Sequence, residues 1–125
     1  MKSLIVEGTT NTPEMVFNND GQLMIKGKSI PASAWKVFSP AIYWVSEIDA
    51  ENVEFHIDME YINSSSVVMM LELLRILEAN RKVKNIRINW HYEEGDESVY
   101  EIGQIMKESL GRSEFDFQME AVRIN

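Results

Sequence analysis

From Val53 onward the chain switches repeatedly between two apolar periods, and that switching restricts the folds open to it more than any other feature. Val53, Phe55, Ile57, Met59 and Tyr61 alternate with Glu54, His56, Asp58 and Glu60. A period of two describes a strand with one apolar and one polar face. From Ser64 the period becomes helical: Val67, Met70, Leu71, Leu74 and Leu77 form one stripe, widened by Val68, Met69 and Leu73. So apolar a helix should be largely buried. Arg75, Glu78, Asn80, Arg81 and Lys82 mark its wet side and its C-terminal end, where positive charge suits the helix dipole. Ile86, Ile88, Trp90 and Tyr92 then alternate with Arg87, Asn89 and His91. The acidic loop from Glu93 to Glu97 runs into a third helix carrying Val99, Ile102, Met106 and Leu110, with Gly111 as its C-cap. Phe115, Phe117, Met119 and Ala121 alternate with Glu114, Asp116, Gln118 and Glu120 as a last strand. Strand and helix in alternation imply parallel strands joined by right-handed crossovers. The half-polar strands imply that helices cover one face of the sheet and leave the other polar.

The first half adds antiparallel strands to this plan. Leu4 to Val6 reads as an edge strand, and Gly8-Thr9-Thr10-Asn11-Thr12-Pro13 as a loop. Glu14 to Asn18 and Gln22 to Lys26 flank Asn19-Asp20-Gly21 as a β-hairpin, and Gly27-Lys28 reads as a turn. Ser29 suits an N-cap, with Ile30-Pro31 opening a helix whose apolar face is Ala34, Val37, Phe38, Ala41, Ile42 and Val45. Pro40 should kink or split that helix between Val37 and Ser39. Trp35, Tyr43 and Trp44 fall partly off the stripe and read as flank packing. The 125 residues suit one domain with one core. The expected architecture is α/β: a single mixed β-sheet with helices mainly on one face.

Several function classes are disfavoured. A net charge of −8 repels phosphate backbones, so nucleic acid is not an expected partner. No apolar run approaches the length of a membrane span, so no membrane insertion is expected. Met1 to Glu7 has too short an apolar core for a signal peptide, and cysteine is absent; both point to the cytoplasm. No motif demands catalysis, so neither catalytic residues nor a cofactor are assigned. His56, Asp58 and Glu60, with His91, have the spacing of any solvated sheet face, and no metal is assigned to them. Asp96, Glu97 and Glu101 read as an acidic helix N-terminus.

The junction Glu60-Tyr61-Ile62-Asn63-Ser64-Ser65-Ser66-Val67 joins the central strand to the longest helix. A hydroxyl at a helix N-terminus sits where free backbone N–H groups and the dipole favour a phosphate. An Asn63 or Ser64 cap accounts for one polar residue, at about 1 kcal/mol. The run Asn63 to Ser66 exceeds what capping needs. The residues alone leave a cap and a phosphorylation site equally open.

Several motifs, in order, carry a resemblance over nearly the whole length: Gly8-Thr9-Thr10-Asn11-Thr12-Pro13, the hairpin, Gly27-Lys28-Ser29-Ile30-Pro31, Met59 to Ser66, and Asn89-Trp90-His91-Tyr92-Glu93-Glu94-Gly95-Asp96-Glu97. Through them the chain resembles the SiaC family of small bacterial regulatory phosphoproteins, whose fold is like that of the STAS-domain anti-sigma-factor antagonists. The resemblance implies a protein with no enzymatic activity of its own. It implies phosphorylation by a dedicated Ser/Thr protein kinase on the first hydroxyl after the motif asparagine, here Ser64, and removal of the phosphate by a PP2C-type phosphatase. It further implies that the unphosphorylated form docks on and activates a diguanylate cyclase, raising cyclic di-GMP and favouring biofilm or aggregation. Tyr61, Asn63, Ser64, Ser65 and Ser66 then form the switch motif, and Thr12, Pro13, Ser29, Pro31 and Trp35 a partner surface. STAS proteins use the second serine of a similar junction, which makes Ser65 the second candidate acceptor. The chain departs from the family pattern with serine where threonine is common at 64, and with Ala32-Ser33 where Glu-Asn is common. The rival readings are a STAS-like anti-sigma-factor antagonist in a partner-switching module, and a metal protein or small enzyme built on His56, Asp58 and His91.

Overall fold

The computed structural model describes residues 1–122. In chain order they form β1 (Leu4–Val6), β2 (Glu14–Phe17), β3 (Gln22–Ser29), α1 (Ala34–Glu47), β4 (Asn52–Ile62), α2 (Ser64–Ala79), β5 (Asn85–Glu93), α3 (Glu97–Ser109) and β6 (Glu114–Glu120). The strands make one six-stranded sheet in sequence order. β1, β2 and β3 pair antiparallel, while β3, β4, β5 and β6 are parallel. The sheet is therefore mixed, as the sequence predicts.

The alternation along each strand becomes rows across the sheet. Met15, Ile25, Ile57, Trp90 and Phe117 lie side by side in the register, as do Phe17, Leu23, Phe55, Ile88 and Phe115. These rows face the helices. Phe38, Ala41 and Val45 of α1 and Met70, Leu73, Leu74 and Leu77 of α2 complete the core. Phe17 meets both Trp44 and Phe55 edge-on, at ring separations of 5.5 and 5.3 Å. The opposite rows carry Met24, His56, Asn89 and Asp116, and Lys26, Asp58, His91 and Gln118. No described helix covers them, so helices occupy one face only.

α3 sits on Trp90. The indole N–H donates to the Val99 carbonyl at 3.0 Å, so the buried ring keeps its polar atom satisfied. Gly103 makes this contact possible. A β-carbon there would lie 2.6 Å from the Trp90 ring and 2.7 Å from Phe117. The helix tolerates its least favoured non-proline residue because closeness to an indole is worth more than propensity.

At the opposite end of the sheet from the helix starts, Glu78 of α2 holds the turn before β6. Its carboxylate accepts from the N–H groups of Gly111 (2.9 Å), Arg112 (2.8 Å) and Ser113 (2.8 Å) and from the Ser113 hydroxyl (2.8 Å). Partial burial favours the neutral acid, but the hydrogen bonds outweigh it and hold the carboxyl below its ordinary 4.5. Arg112 returns the favour by donating to the carbonyls of Glu78, Lys84 and Asn80.

Several local expectations need correction. Gly27-Lys28 is not a turn but an irregularity inside β3, where Gly27 takes φ +118°. β3 therefore runs on to Ser29, and Ser29 is not an N-cap. Ser33 caps α1 instead, accepting from the Lys36 N–H, and Ile30-Pro31 stays outside the helix. Pro40 does not split α1, which runs unbroken from Ala34 to Glu47. Pro40 is exposed, so the Lys36 carbonyl that loses its N–H partner can turn to water. Trp44 is core rather than flank: it is buried, and its N–H donates to the Lys2 carbonyl at 2.8 Å. Trp35 and Tyr43 are exposed. Asn80 is not on the wet side. It is buried and donates to the carbonyls of Val45 (3.0 Å) and Ile48 (2.8 Å), closing the C-terminus of α1. α3 ends on Leu110 as C-cap in extended conformation, and Gly111 lacks the left-handed backbone expected of it. β6 stops at Glu120, leaving Ala121 exposed outside it.

Two outcomes test this account. Gly103→Ala should lower stability by about 1–3 kcal/mol by denaturant unfolding, because overpacking against a fixed ring exceeds the gain in helix propensity. For Glu78, a carboxyl held below its unfolded value stabilises the fold above that value, and the contribution fades as pH falls through the lower folded value. The parent protein and Glu78→Gln should thus differ in urea midpoint at neutral pH and converge as pH drops below the ordinary 4.5.

Candidate functional site

Parallel strands followed by helices bring every helix N-terminus to one edge. α1, α2 and α3 begin beyond the C-terminal ends of β3, β4 and β5, and that edge gathers the loops that follow them. The loop before β2 joins the same edge. Thr9 and Thr12 share a hydroxyl–hydroxyl bond of 2.7 Å, the Thr9 Oγ1 accepts from the Asn11 and Thr12 N–H groups, and the Asn11 carbonyl accepts from the Ile30 N–H at 2.9 Å.

The end of β4 is re-aimed by the irregularity at Gly27. Gly27 pairs with Met59 and Lys28 with Tyr61, so Glu60 is an extra residue on β4. One added residue inverts the alternation. Met59 stays buried, but Ile62 takes the next core position and Tyr61, expected on the apolar face, is 55% exposed. The Asn63 N–H then donates to the Ser29 carbonyl at 2.9 Å, which fixes where α2 starts.

The polar run resolves into separate roles. Asn63 is the N-cap: its side-chain oxygen accepts from the Ser66 N–H at 3.0 Å and from the Ser65 hydroxyl at 3.3 Å. Ser66 is fully buried, and its hydroxyl pairs with that of Ser29 at 2.7 Å. This pair ties the end of β3 to the first turn of α2 and leaves neither buried oxygen unsatisfied. Ser64 and Ser65 are exposed on the first turn. Among the described residues the Ser64 hydroxyl has no hydrogen-bond partner, and α2 has no acidic side chain in its first turn. An added phosphate would meet the positive end of the α2 dipole with no first-turn carboxylate opposing it.

Of the surface residues singled out from sequence, Trp35 is exposed and Thr12 and Pro31 are half-buried. Pro13 and Ser29 are buried and cannot be part of a docking surface as the protein stands. Ser29 sits there because β3 is longer than expected, and Pro13 because it leads directly into β2. Sequence reasoning missed two exposed apolar side chains on this edge, Ile30 after β3 and Val68 one helical turn after Ser64, and it placed Tyr61 of the switch motif on the apolar face although that ring too is exposed. Val68 carried a signal, since it lay at the margin of the apolar stripe. The outward turn of Tyr61 had no such signal, because the extra residue is set by pairing with β3.

On the helix-free face, Arg87 stands opposite Glu54 of β4 but makes its ion pairs on the other side. It binds Glu114 (2.8 Å) and Asp116 (2.7 Å) on β6. The two histidines do meet, His56 Nδ1 lying 2.9 Å from His91 Nε2. Among the described residues, no group of three or more His, Asp or Glu is arranged around one metal position.

Comparison with known proteins agrees with this geometry. Residues 6–120 match the family model described as SiaC family regulatory phosphoprotein. The chain is 29% identical to an uncharacterised protein of Pseudomonas aeruginosa (strain UCBPP-PA14), with 97% of this chain and 98% of that one aligned. Among solved structures it is similar to apo-SiaC from Pseudomonas aeruginosa, at 28% identity and a TM-score of 0.83, covering 94% of this chain and 99% of that one. It is equally similar, at 28% identity, a TM-score of 0.83 and the same coverage, to a chain in the crystal structure of the diguanylate cyclase SiaD in complex with its activator SiaC from the same organism. With the match spanning almost every element from β1 to β6, the chain belongs to the SiaC family of regulatory phosphoproteins.

Proposed function

We propose that this protein is a phosphorylation-switched activator of a diguanylate cyclase, with Ser64 as the phosphate acceptor. The observation that carries the reading is the similarity, over nearly the whole chain, to a structure of SiaC as activator bound to the cyclase SiaD. The exposed Ser64 hydroxyl on the first turn of α2, without a hydrogen-bond partner among the described residues, supports the choice of acceptor. Ser66 is a poor acceptor because it is buried against Ser29, and Ser65 is the second candidate. A dedicated Ser/Thr kinase adds the phosphate and a PP2C-type phosphatase removes it. The chain works as one cytoplasmic domain and acts by binding rather than by catalysis, and its output is cyclic di-GMP and biofilm formation.

The switch follows from local electrostatics. Phosphorylation adds about −1.5 to −2 charge and strong acceptor oxygens. At the N-terminus of α2 that charge stabilises the helix, so the fold persists. A partner covering this edge would bury Ser64 among Ile30, Trp35, Tyr61 and Val68. A dianion buried there without an arginine to meet it costs several kcal/mol, so the phosphorylated form does not dock.

Ser64→Asp should fold with an unchanged circular dichroism spectrum and weaken cyclase binding by at least about tenfold, equivalent to 1.4 kcal/mol. Ser64→Ala should bind like the parent protein and accept no phosphate from the kinase. Full binding by Ser64→Asp, or phosphopeptide mapping that finds the modification on Ser65 with Ser64 untouched, would sink the assignment.

A further inference from the structure

At the end of the sheet opposite the Ser64 edge, the turns before β5 and β6 and the end of α2 border an open cavity of about 520 Å³, lined by Glu78, Ala79, Arg81, Val83, Lys84 and Arg112. Three of these side chains are cations, and they come from three separate stretches: Arg81 follows α2, Lys84 precedes β5 and Arg112 precedes β6. Among the described residues none of the three forms an ion pair. The one carboxylate in the lining, Glu78, is engaged by the N–H groups of residues 111–113 and by the Ser113 hydroxyl. Three unpaired cations against one carboxylate reverse the balance of a chain whose net charge is −8.

The dipole of α2 accounts for part of this charge and not for the rest. Cations suit a helix C-terminus, and Arg112 fills that role: its Nε donates to the Glu78 carbonyl at 2.9 Å and its Nη2 to the Asn80 carbonyl at 3.1 Å. With Nη1 donating to the Lys84 carbonyl at 3.4 Å, three carbonyls fix the guanidinium and leave one N–H on each terminal nitrogen unspent. Lys84 Nζ spends one of its donors on the Arg81 carbonyl at 3.2 Å. The Arg81 guanidinium makes no hydrogen bond among the described residues. A guanidinium held in place with spare donors, beside two further cations, is an arrangement that recognises phosphate oxygens. We propose that this cavity binds a small anion of the diphosphate class, with Arg112 as the fixed fork and Arg81 and Lys84 closing on the anion from the turn between α2 and β5. The volume lies within the roughly 300–1,000 Å³ of small-molecule sites. No aromatic ring lines the cavity for a base to stack on, so the phosphate groups are what it reads. The α2 carbonyls nearest the anion are those that Arg112 already covers, which limits their repulsion.

The test uses the full-length, untagged protein and inorganic pyrophosphate. Isothermal titration at low salt should show one saturable equivalent that weakens as sodium chloride is added, and the thermal midpoint should rise with pyrophosphate because the anion binds the folded chain. In NMR of the unaltered protein, the backbone shifts on titration should centre on residues 78–84 and on Arg112. R81Q/K84Q should bind at least about tenfold more weakly, the loss expected when charge-assisted hydrogen bonds are removed. Arg75→Gln, which removes an exposed cation of α2 outside the cavity, should bind like the parent protein. Adenosine diphosphate serves as a second probe: binding equal to that of pyrophosphate assigns the site to the diphosphate alone, and tighter binding assigns it to a nucleoside diphosphate, both in support. The shift map needs no variant, so a misfolded R81Q/K84Q would not shield the proposal. Absence of saturable pyrophosphate binding, shifts centred elsewhere, or equal weakening by Arg75→Gln and a folded R81Q/K84Q would overturn it.

Discussion

Ile25, Ile57 and Trp90 lie abreast on three parallel strands, and the burial of that row under the helices is the constraint on which the rest depends. Parallel neighbours oblige the chain to return along the sheet between strands, and each return is a helix. Because one strand face is apolar and the other polar, all the returns lie on the same side. Every helix then begins at the same edge. The Ser64 edge is thus a consequence of pairing direction and one-sided burial.

Within that frame, two small features determine what the edge presents. The extra residue Glu60 turns Tyr61 outward and Ile62 inward, and the hydroxyl pair of Ser29 and Ser66 anchors the first turn of α2 from below. Asn63 meets the capping requirement, and the Ser64 hydroxyl has no hydrogen-bond partner among the described residues. A hydroxyl free of structural duty is one that can be modified without unfolding what carries it. Rigidity below and freedom above are the conditions a phospho-switch needs, and they are separated here by two residues along one helix turn.

The two faces of the sheet serve different ends. The helix face is packed to the point that α3 needs a glycine against an indole, while the open face has no described helix above it and gathers its charges into cross-strand pairs. Arg87 satisfies β6 carboxylates, and the histidine pair lies between two others.

The element order, the mixed sheet, the single helical face and the family were legible in the residues alone, because apolar periodicity and short motifs are local signals. The sequence also marked Asn63 to Ser66 as the place of interest. It could not divide that run into cap, anchor and free hydroxyl, since Ser66 is buried only because Ser29, thirty-seven residues away, faces it. The same distance limit explains the other misreadings. Gly27-Lys28 resembles a turn until β4 pairs with it, Asn80 resembles a wet helix end until the carbonyls of α1 reach it, and Ser29 resembles a cap until β3 extends through it. Tertiary pairing decided these positions because a polar side chain reports only that it needs a partner, and where that partner lies is fixed by the fold.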